Sequence, residues 1–134
     1  MMLLSGKRIF ITEDNAGNLA VLATYLEGYG ATLKSDRRGV NTVAALREHL
    51  PFDVILLDLM LPNNVSGFDL FDQIRQVPEL THIPVIAVSA ADPDFAMSKA
   101  RMKGFAGFIS KPISVVVGRY IAEVLNGKQV WIAD

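Results

Sequence analysis

The sequence predicts an α/β fold, a (βα)5 doubly wound domain in which parallel strands alternate with helices. Short apolar runs alternate five times with segments whose apolar residues recur at helical spacing. Polar or charged residues follow most of the apolar runs, at the strand ends where parallel sheets bind ligands. We therefore expect a five-stranded parallel sheet in the common order 2-1-3-4-5, with right-handed crossovers and helices on both faces.

Composition restricts the class of protein. A chain of 134 residues is long enough for one domain with a hydrophobic core. We expect a single domain over residues 1–134, with its core at 7–127 and a C-terminal tail at 128–134. The net charge of −1 gives no reason to expect direct nucleic-acid binding, and the lack of cysteine excludes disulfides and thiol catalysis. No apolar run approaches the ~20 residues that cross a bilayer, so we expect no membrane contact. The lack of cysteine is compatible with the reducing cytoplasm, where we expect the protein to be located.

The first strand is the apolar run Arg8–Thr12, and a helix with leucines at helical spacing follows it. Asp14 or Asn15 can cap this helix at its start, and Gly28 or Gly30 can end it. The chain is then expected to return to the sheet.

The second strand, the second helix and the third strand are predicted from the pattern of apolar and polar residues. Residues 31–35 alternate between apolar and polar, which indicates an exposed strand near the sheet edge. Apolar positions from Val40 to Leu50 predict a second helix, which Pro51 stops. The run 54–57 is apolar throughout and β-branched at its start, as is typical of a central strand buried on both faces.

The third helix and the fourth strand follow. Ser66 to Asp69 resembles a capping box, and helical spacing continues to Pro78. Residues 84–88 are wholly apolar, so they predict a second central strand, which Ser89 closes.

The last two helices flank the fifth strand. Asp92-Pro93 is a strong helix start, and Gly104 can end that helix. Residues 106–110 form the predicted fifth strand, and Ser114 can cap a last helix that runs to about Leu125. The apolar patch at 128–132 falls outside the repeat, and the sequence leaves open whether it packs on the domain, meets a partner or does neither.

Side chains that could bind a ligand or take part in catalysis lie at the ends of four predicted strands. They are Glu13, Asp14, Asp58, Ser89 and Lys111. Taken alone, Asp58 could as well cap its own loop as bind a ligand. Neighbouring strands lie roughly 4.8 Å apart, so the five side chains together predict one shared pocket.

The chemistry of this set favours phosphoryl transfer. Three crowded carboxylates repel one another and need a cation, and carboxylate oxygens suit Mg²⁺. Lys111 and Ser89 can stabilise phosphoryl oxygens. Asp58 is then a plausible nucleophile that forms an acyl phosphate, while Glu13 and Asp14 hold the metal.

Four segments of the chain also occur in the order, spacing and strand context of a known family. They are Glu13-Asp14-Asn15, Asp58-Leu59-Met60-Leu61-Pro62, Ser89-Ala90 and Phe108-Ile109-Ser110-Lys111-Pro112. Over residues 7–127 the chain resembles the receiver domain of two-component response regulators. The resemblance implies a flavodoxin-like fold and phosphotransfer to Asp58 from a histidine kinase or a histidine phosphotransfer protein.

The resemblance also implies a metal-ligand set. Asp14 would bind Mg²⁺ directly, and Glu13 would act largely through water. Asp58 and the backbone carbonyl of Met60 would complete the ligands that the protein supplies.

The resemblance also implies which residues bind the phosphoryl group and which change conformation when it is present. Ser89 would be a switch hydroxyl that moves toward the phosphoryl group, and Phe108 an aromatic partner that swings inward with it. Lys111 would pair with phosphoryl oxygens, and its bond to Pro112 would be cis. Two departures are a loop at 62–67 that looks one residue longer than usual, and Phe108 where tyrosine is common.

The expected output is a protein contact on the face made by helix four, strand five and helix five. The domain would be a phosphoacceptor that catalyses only its own phosphotransfer and autodephosphorylation. It could regulate a target or shuttle phosphate in a relay. A Mg²⁺-dependent aspartyl-phosphate phosphatase is a rival from another class, but Met60 stands where its second acid is needed. No phosphate-binding glycine motif supports a nucleotide-binding module, and the intact acid set argues against signalling without phosphate.

Overall fold

The computed structural model describes residues 2–133, which form a parallel β-sheet with helices on both faces. The strands are β1 (Arg8–Thr12), β2 (Thr32–Ser35), β3 (Val54–Asp58), β4 (Val85–Ser89), β5 (Gly107–Ser110) and β6 (Val130–Ile132). The helices are α1 (Ala16–Gly28), α2 (Thr42–Glu48), α3 (Gly67–Arg75), α4 (Pro93–Lys103) and α5 (Val117–Leu125). Short 3-10 turns lie at Pro62–Asn64 and Pro78–Leu80. No helix within residues 2–133 is long and apolar enough to span a membrane.

The sheet has six strands in the order β2-β1-β3-β4-β5-β6. The predicted order of the first five is confirmed, whereas the predicted number of strands is wrong. The extra strand is β6, which pairs in parallel with the outer edge of β5. It is only three residues long, too short for a periodic pattern to indicate a strand.

The central position of β3 is confirmed by its burial. All five of its residues are buried, and it pairs with β1 on one side and β4 on the other. One hydrophobic core lies on the α2, α3 and α4 side of the sheet, and the other on the α1 and α5 side. Asp58, the last residue of β3, is therefore fixed on a strand packed from both sides.

Three predicted helix caps are present. The side chains of Asn15, Ser66 and Asp92 accept hydrogen bonds from backbone amides at the starts of α1, α3 and α4, respectively. Each bond satisfies an amide that has no partner within its helix.

The predicted starts of α2 and α5 are wrong. The second helix begins at Thr42, after a loop that Asp36 holds by accepting bonds from the Asn41 amide and the Thr42 hydroxyl. The last helix begins at Val117, and Ser114 does not cap it. The β-branched residues before Val117 are poor helix formers, which explains the later start.

Candidate functional site

Three carboxylates converge at the carboxyl end of β1 and β3. One oxygen from each of Glu13, Asp14 and Asp58 lies within 4.8 Å of the others. Glu13 and Asp58 are buried, whereas Asp14 is exposed. The cluster therefore has a closed inner side and an open side, and all its ligand atoms are oxygens suited to Mg²⁺.

Lys111 enters the cluster from the residue after β5. Its ammonium group lies 2.7 Å from Glu13 Oε1 and 2.8 Å from Asp58 Oδ2. The Lys111–Pro112 peptide bond is cis. A cavity of about 400 Å³ opens beside Lys111, and Glu13 and Pro112 are among the residues that line it. The lysine thus bridges the two buried carboxylates from the side of this cavity.

Burial and this ion pair act on the protonation of both partners. Burial raises the pKa of Asp58 above its ordinary value, although the hydrogen bonds from Lys111 and from the Met60 amide oppose that shift. Burial alone would lower the pKa of Lys111, but its bonds to Asp58 and Glu13 raise it overall. The lysine is therefore cationic at neutral pH and is the charge that compensates the buried acids.

The backbone around Asp58 is held by contacts that the sequence did not indicate. The Asp58 amide donates a hydrogen bond of 2.9 Å to Thr12 Oγ1. The Met60 amide donates one of 2.9 Å to Asp58 Oδ1. At Gly67 a Cβ would collide with the Asp58 carbonyl oxygen and would lie 2.7 Å from Leu59 Cα, so only glycine fits there. The loop at 62–67 is thereby packed directly behind Asp58.

Arg37 is a further residue that the sequence did not indicate. Its guanidinium group donates a hydrogen bond of 3.0 Å to the backbone carbonyl of Asp14. The contact joins two segments that are distant in sequence, so no local pattern could have revealed it. It ties the loop after β2 to the open side of the acid cluster.

The two predicted switch residues lie on the strands that follow β3 across the sheet, Ser89 on β4 and Phe108 on β5. Ser89 is fully buried at the end of β4, and its hydroxyl accepts a hydrogen bond of 3.0 Å from the Ala91 amide. Phe108 is fully buried in the core on the α3 and α4 side, so its ring already points inward. Met60 is 64% exposed, and its backbone amide donates a hydrogen bond to Asp58 Oδ1.

The comparisons with known proteins agree with this geometry. The family described as response regulator receiver domain matches residues 9–119. A polar-differentiation response regulator, DivK, from Brucella anthropi is 38% identical over 109 residues, which cover 81% of this chain and 87% of that protein. DivK from Brucella abortus matches to the same extent.

Solved structures show the same fold. The signal receiver domain of a histidine kinase from Syntrophus aciditrophicus has a TM-score of 0.79 and 28% identity, covering 91% of this chain and 92% of that one. The receiver domain of a sensor histidine kinase from Pseudomonas aeruginosa, with a magnesium ion coordinated in its active site cleft, has a TM-score of 0.79 at 24% identity. That match covers 92% of this chain and all of the other. The chain therefore belongs to the response regulator receiver domain family and is a receiver domain of two-component signalling.

Proposed function

We propose that Asp58 is the phosphoacceptor of this receiver domain and that the phosphoryl group comes from a phosphohistidine. The donor would be a histidine kinase or a histidine phosphotransfer protein in the cytoplasm. The observation that carries the proposal is the convergence of three carboxylates on one edge of the sheet, with Lys111 bonded to Asp58. Such a set can both hold a divalent cation and compensate the charge of a phosphoryl group.

The donor set fits Mg²⁺. Glu13, Asp14 and Asp58 offer hard oxygen ligands, and their mutual repulsion is relieved by a cation. With the backbone carbonyl of Met60, they are the groups that would hold the ion. When bound, Mg²⁺ would supply positive charge to the phosphoryl oxygens.

In the proposed reaction, a carboxylate oxygen of Asp58 attacks phosphorus. The new O–P bond forms as the P–N bond of phosphohistidine breaks, and the electron pair of that bond returns to the imidazole ring. Lys111 bonds to Asp58 before the reaction and would then bond to a phosphoryl oxygen. Thr12 and the Met60 amide hold Asp58 in place, so little reorganisation is needed at the moment of transfer.

The proposed response involves Ser89 and Phe108. We propose that the Ser89 hydroxyl leaves the Ala91 amide and donates to the phosphoryl group. The Phe108 ring is buried inward, and the phosphorylated state would hold it there. The change would be read by a protein target on the face made by α4, β5 and α5.

The domain would act as a signalling protein that catalyses only its own phosphotransfer and autodephosphorylation. It would either regulate its target directly or pass the phosphoryl group to a further histidine. The phosphatase alternative lacks support at residue 60, because a methionine has no acid group to offer.

The proposal is tested with acetyl phosphate and Mg²⁺, followed by intact-protein mass spectrometry. We expect the wild type to gain one phosphoryl group, and EDTA to prevent the gain. Asp58→Asn should gain none. Asp92→Asn is the matched control, because asparagine also serves as a helix cap, and it should react as the wild type does. Phosphorylation of Asp58→Asn at the wild-type rate would refute the assignment.

A further inference from the structure

The additional strand β6 covers the edge of β5. Val130 pairs with Gly107, Trp131 with Phe108 and Ile132 with Ile109. Without β6, the outer edge of β5 would present unpaired backbone groups to solvent. The strand therefore lies on the middle element of the face that we propose as the output face.

The fit between β6 and β5 is close. A Cβ on Gly107 would lie 2.6 Å from the Val130 carbonyl oxygen and 2.7 Å from Val130 Cγ2. The first of these atoms belongs to the backbone, so no side-chain rotation could relieve the contact. Val130 itself is 5% exposed. Glycine at 107 is what allows β6 to pair at this register.

Trp131 connects β6 to two other parts of the same face. The Arg101 guanidinium of α4 lies 4.6 Å from the centroid of the indole ring, in a cation–π arrangement. The indole also packs against the core that contains Phe108. One residue of β6 thus contacts α4 and packs against the core that contains the proposed aromatic switch residue.

The attachment of β6 is nevertheless limited in extent. The strand has three residues, and both Trp131 and Ile132 are partly exposed. Short edge elements with few buried contacts open before the rest of a domain does. We therefore expect β6 to open before the other strands of the sheet.

The fold also links β6 to the acid cluster through β5. Lys111 directly follows β5 and bonds to Asp58, while the middle of β5 carries the Phe108–Trp131 pair. A shift of Lys111 from the Asp58 carboxylate to a phosphoryl oxygen would act on the end of the strand that holds β6.

We propose that β6 is a displaceable cover on the α4, β5 and α5 face, and that phosphorylation of Asp58 loosens it. Displacement frees the β5 edge, which pairs with an extended apolar segment of a target protein in place of residues 130–132. This inference rests on the proposed function, since the loosening requires a phosphoryl group on Asp58.

Trp131 makes the test direct, because it is the only tryptophan in the chain. Acrylamide quenching of its fluorescence is measured with Mg²⁺, before and after addition of acetyl phosphate, and the same sample is weighed by mass spectrometry. Phosphorylation should raise the quenching constant toward the value in urea. Phosphoryl uptake with unchanged quenching would overturn this inference alone. A chain that takes up no phosphoryl group would overturn the proposed function and this inference with it.

Gly107→Ala tests the close fit without phosphate. The added methyl should displace β6 and raise the quenching constant before any phosphodonor is present, with no further rise afterwards. Gly28→Ala is the matched control, because a Cβ at Gly28 meets nothing within 4 Å, and its quenching should equal that of the wild type. Unchanged quenching in Gly107→Ala would contradict the proposed cover, and the wild-type measurement stands whether or not this variant folds.

Discussion

Lys111 Nζ lies 2.8 Å from Asp58 Oδ2, on a strand end where two further carboxylates converge. The lysine is the positive charge that balances the buried acids within the chain. A divalent cation that binds from the open side, where Asp14 is exposed, would neutralise the same carboxylates. We therefore expect stability and metal binding to be coupled at this site.

Replacement of Lys111 by alanine should destabilise the protein and make it more dependent on Mg²⁺. The side chains of its partners Glu13 and Asp58 are each 4% exposed. Loss of the cation leaves them uncompensated, which costs about 3 kcal/mol for a buried pair. Urea denaturation with EDTA measures the loss, and Mg²⁺ should restore more stability to this variant than it adds to the wild type.

Lys103→Ala is the control for that prediction. Lys103 forms an ion pair of similar length, 2.7 Å, with Asp72, whose side chain is 54% exposed. Exposed pairs contribute about 0–1 kcal/mol, and this one lies outside the acid cluster. Equal losses in the two variants, or an equal response to Mg²⁺, would show that Lys111 does not compensate the buried acids.

The raised pKa of Asp58 predicts a specific pH dependence. At pH values between the ordinary pKa of 3.8 and the raised pKa of Asp58, the folded protein binds more protons at this residue than the unfolded chain does. The free energy of unfolding contributed by Asp58 must then fall as pH rises through that window. In EDTA, Asp58→Asn should lack this decrease. Parallel pH profiles for the wild type and the variant, from denaturant titrations, would rule the effect out.

Thr12 should matter for stability because its hydroxyl satisfies the buried amide of Asp58. Thr12→Val preserves shape but leaves that amide without its partner, which costs about 1–3 kcal/mol. Thr32→Val is the control, since the Thr32 hydroxyl is exposed and makes only a long contact of 3.5 Å. We expect that control to change stability by less than about 0.5 kcal/mol. Equal denaturation midpoints for Thr12→Val and the wild type would show that the bond between Thr12 and the Asp58 amide contributes nothing to stability.

Gly67 should be intolerant of any side chain. The Cβ of Gly67→Ala would meet backbone atoms of Asp58 and Leu59 that cannot move aside. We expect a loss of about 1–3 kcal/mol, as for overpacked sites, together with slower phosphorylation because Asp58 is displaced. Gly28→Ala, at the end of α1, should retain the wild-type phosphorylation rate. Normal kinetics in Gly67→Ala would mean that this loop does not position Asp58.

Much of the fold could be predicted because its signals are local. The apolar runs before Asp58 and Ser89 are typical of buried strands, and both lie where the sequence indicates. The proximity of Glu13, Asp14 and Asp58 follows from topology, since parallel strand ends share one edge of a sheet. Neither inference requires knowledge of long-range packing.

The remainder depends on contacts between distant segments. Pairing of β6 requires the space above Gly107, which no property of residues 130–132 reveals. The bond from the Asp58 amide to Thr12 and the bond from Arg37 to Asp14 likewise join separate elements. The late start of α5 reflects competition between a suitable cap at Ser114 and the poor helix propensity of the valines after it.

We expect the acyl phosphate to form on Asp58 and on no other carboxylate. Borohydride reduces an acyl phosphate to an alcohol, so the phosphorylated aspartate becomes homoserine, which peptide mass mapping locates. After incubation with acetyl phosphate and Mg²⁺, we predict homoserine at residue 58 alone. Homoserine at residue 14 or at any other acid, or its absence from a chain that has gained a phosphoryl group, would contradict the assignment of Asp58.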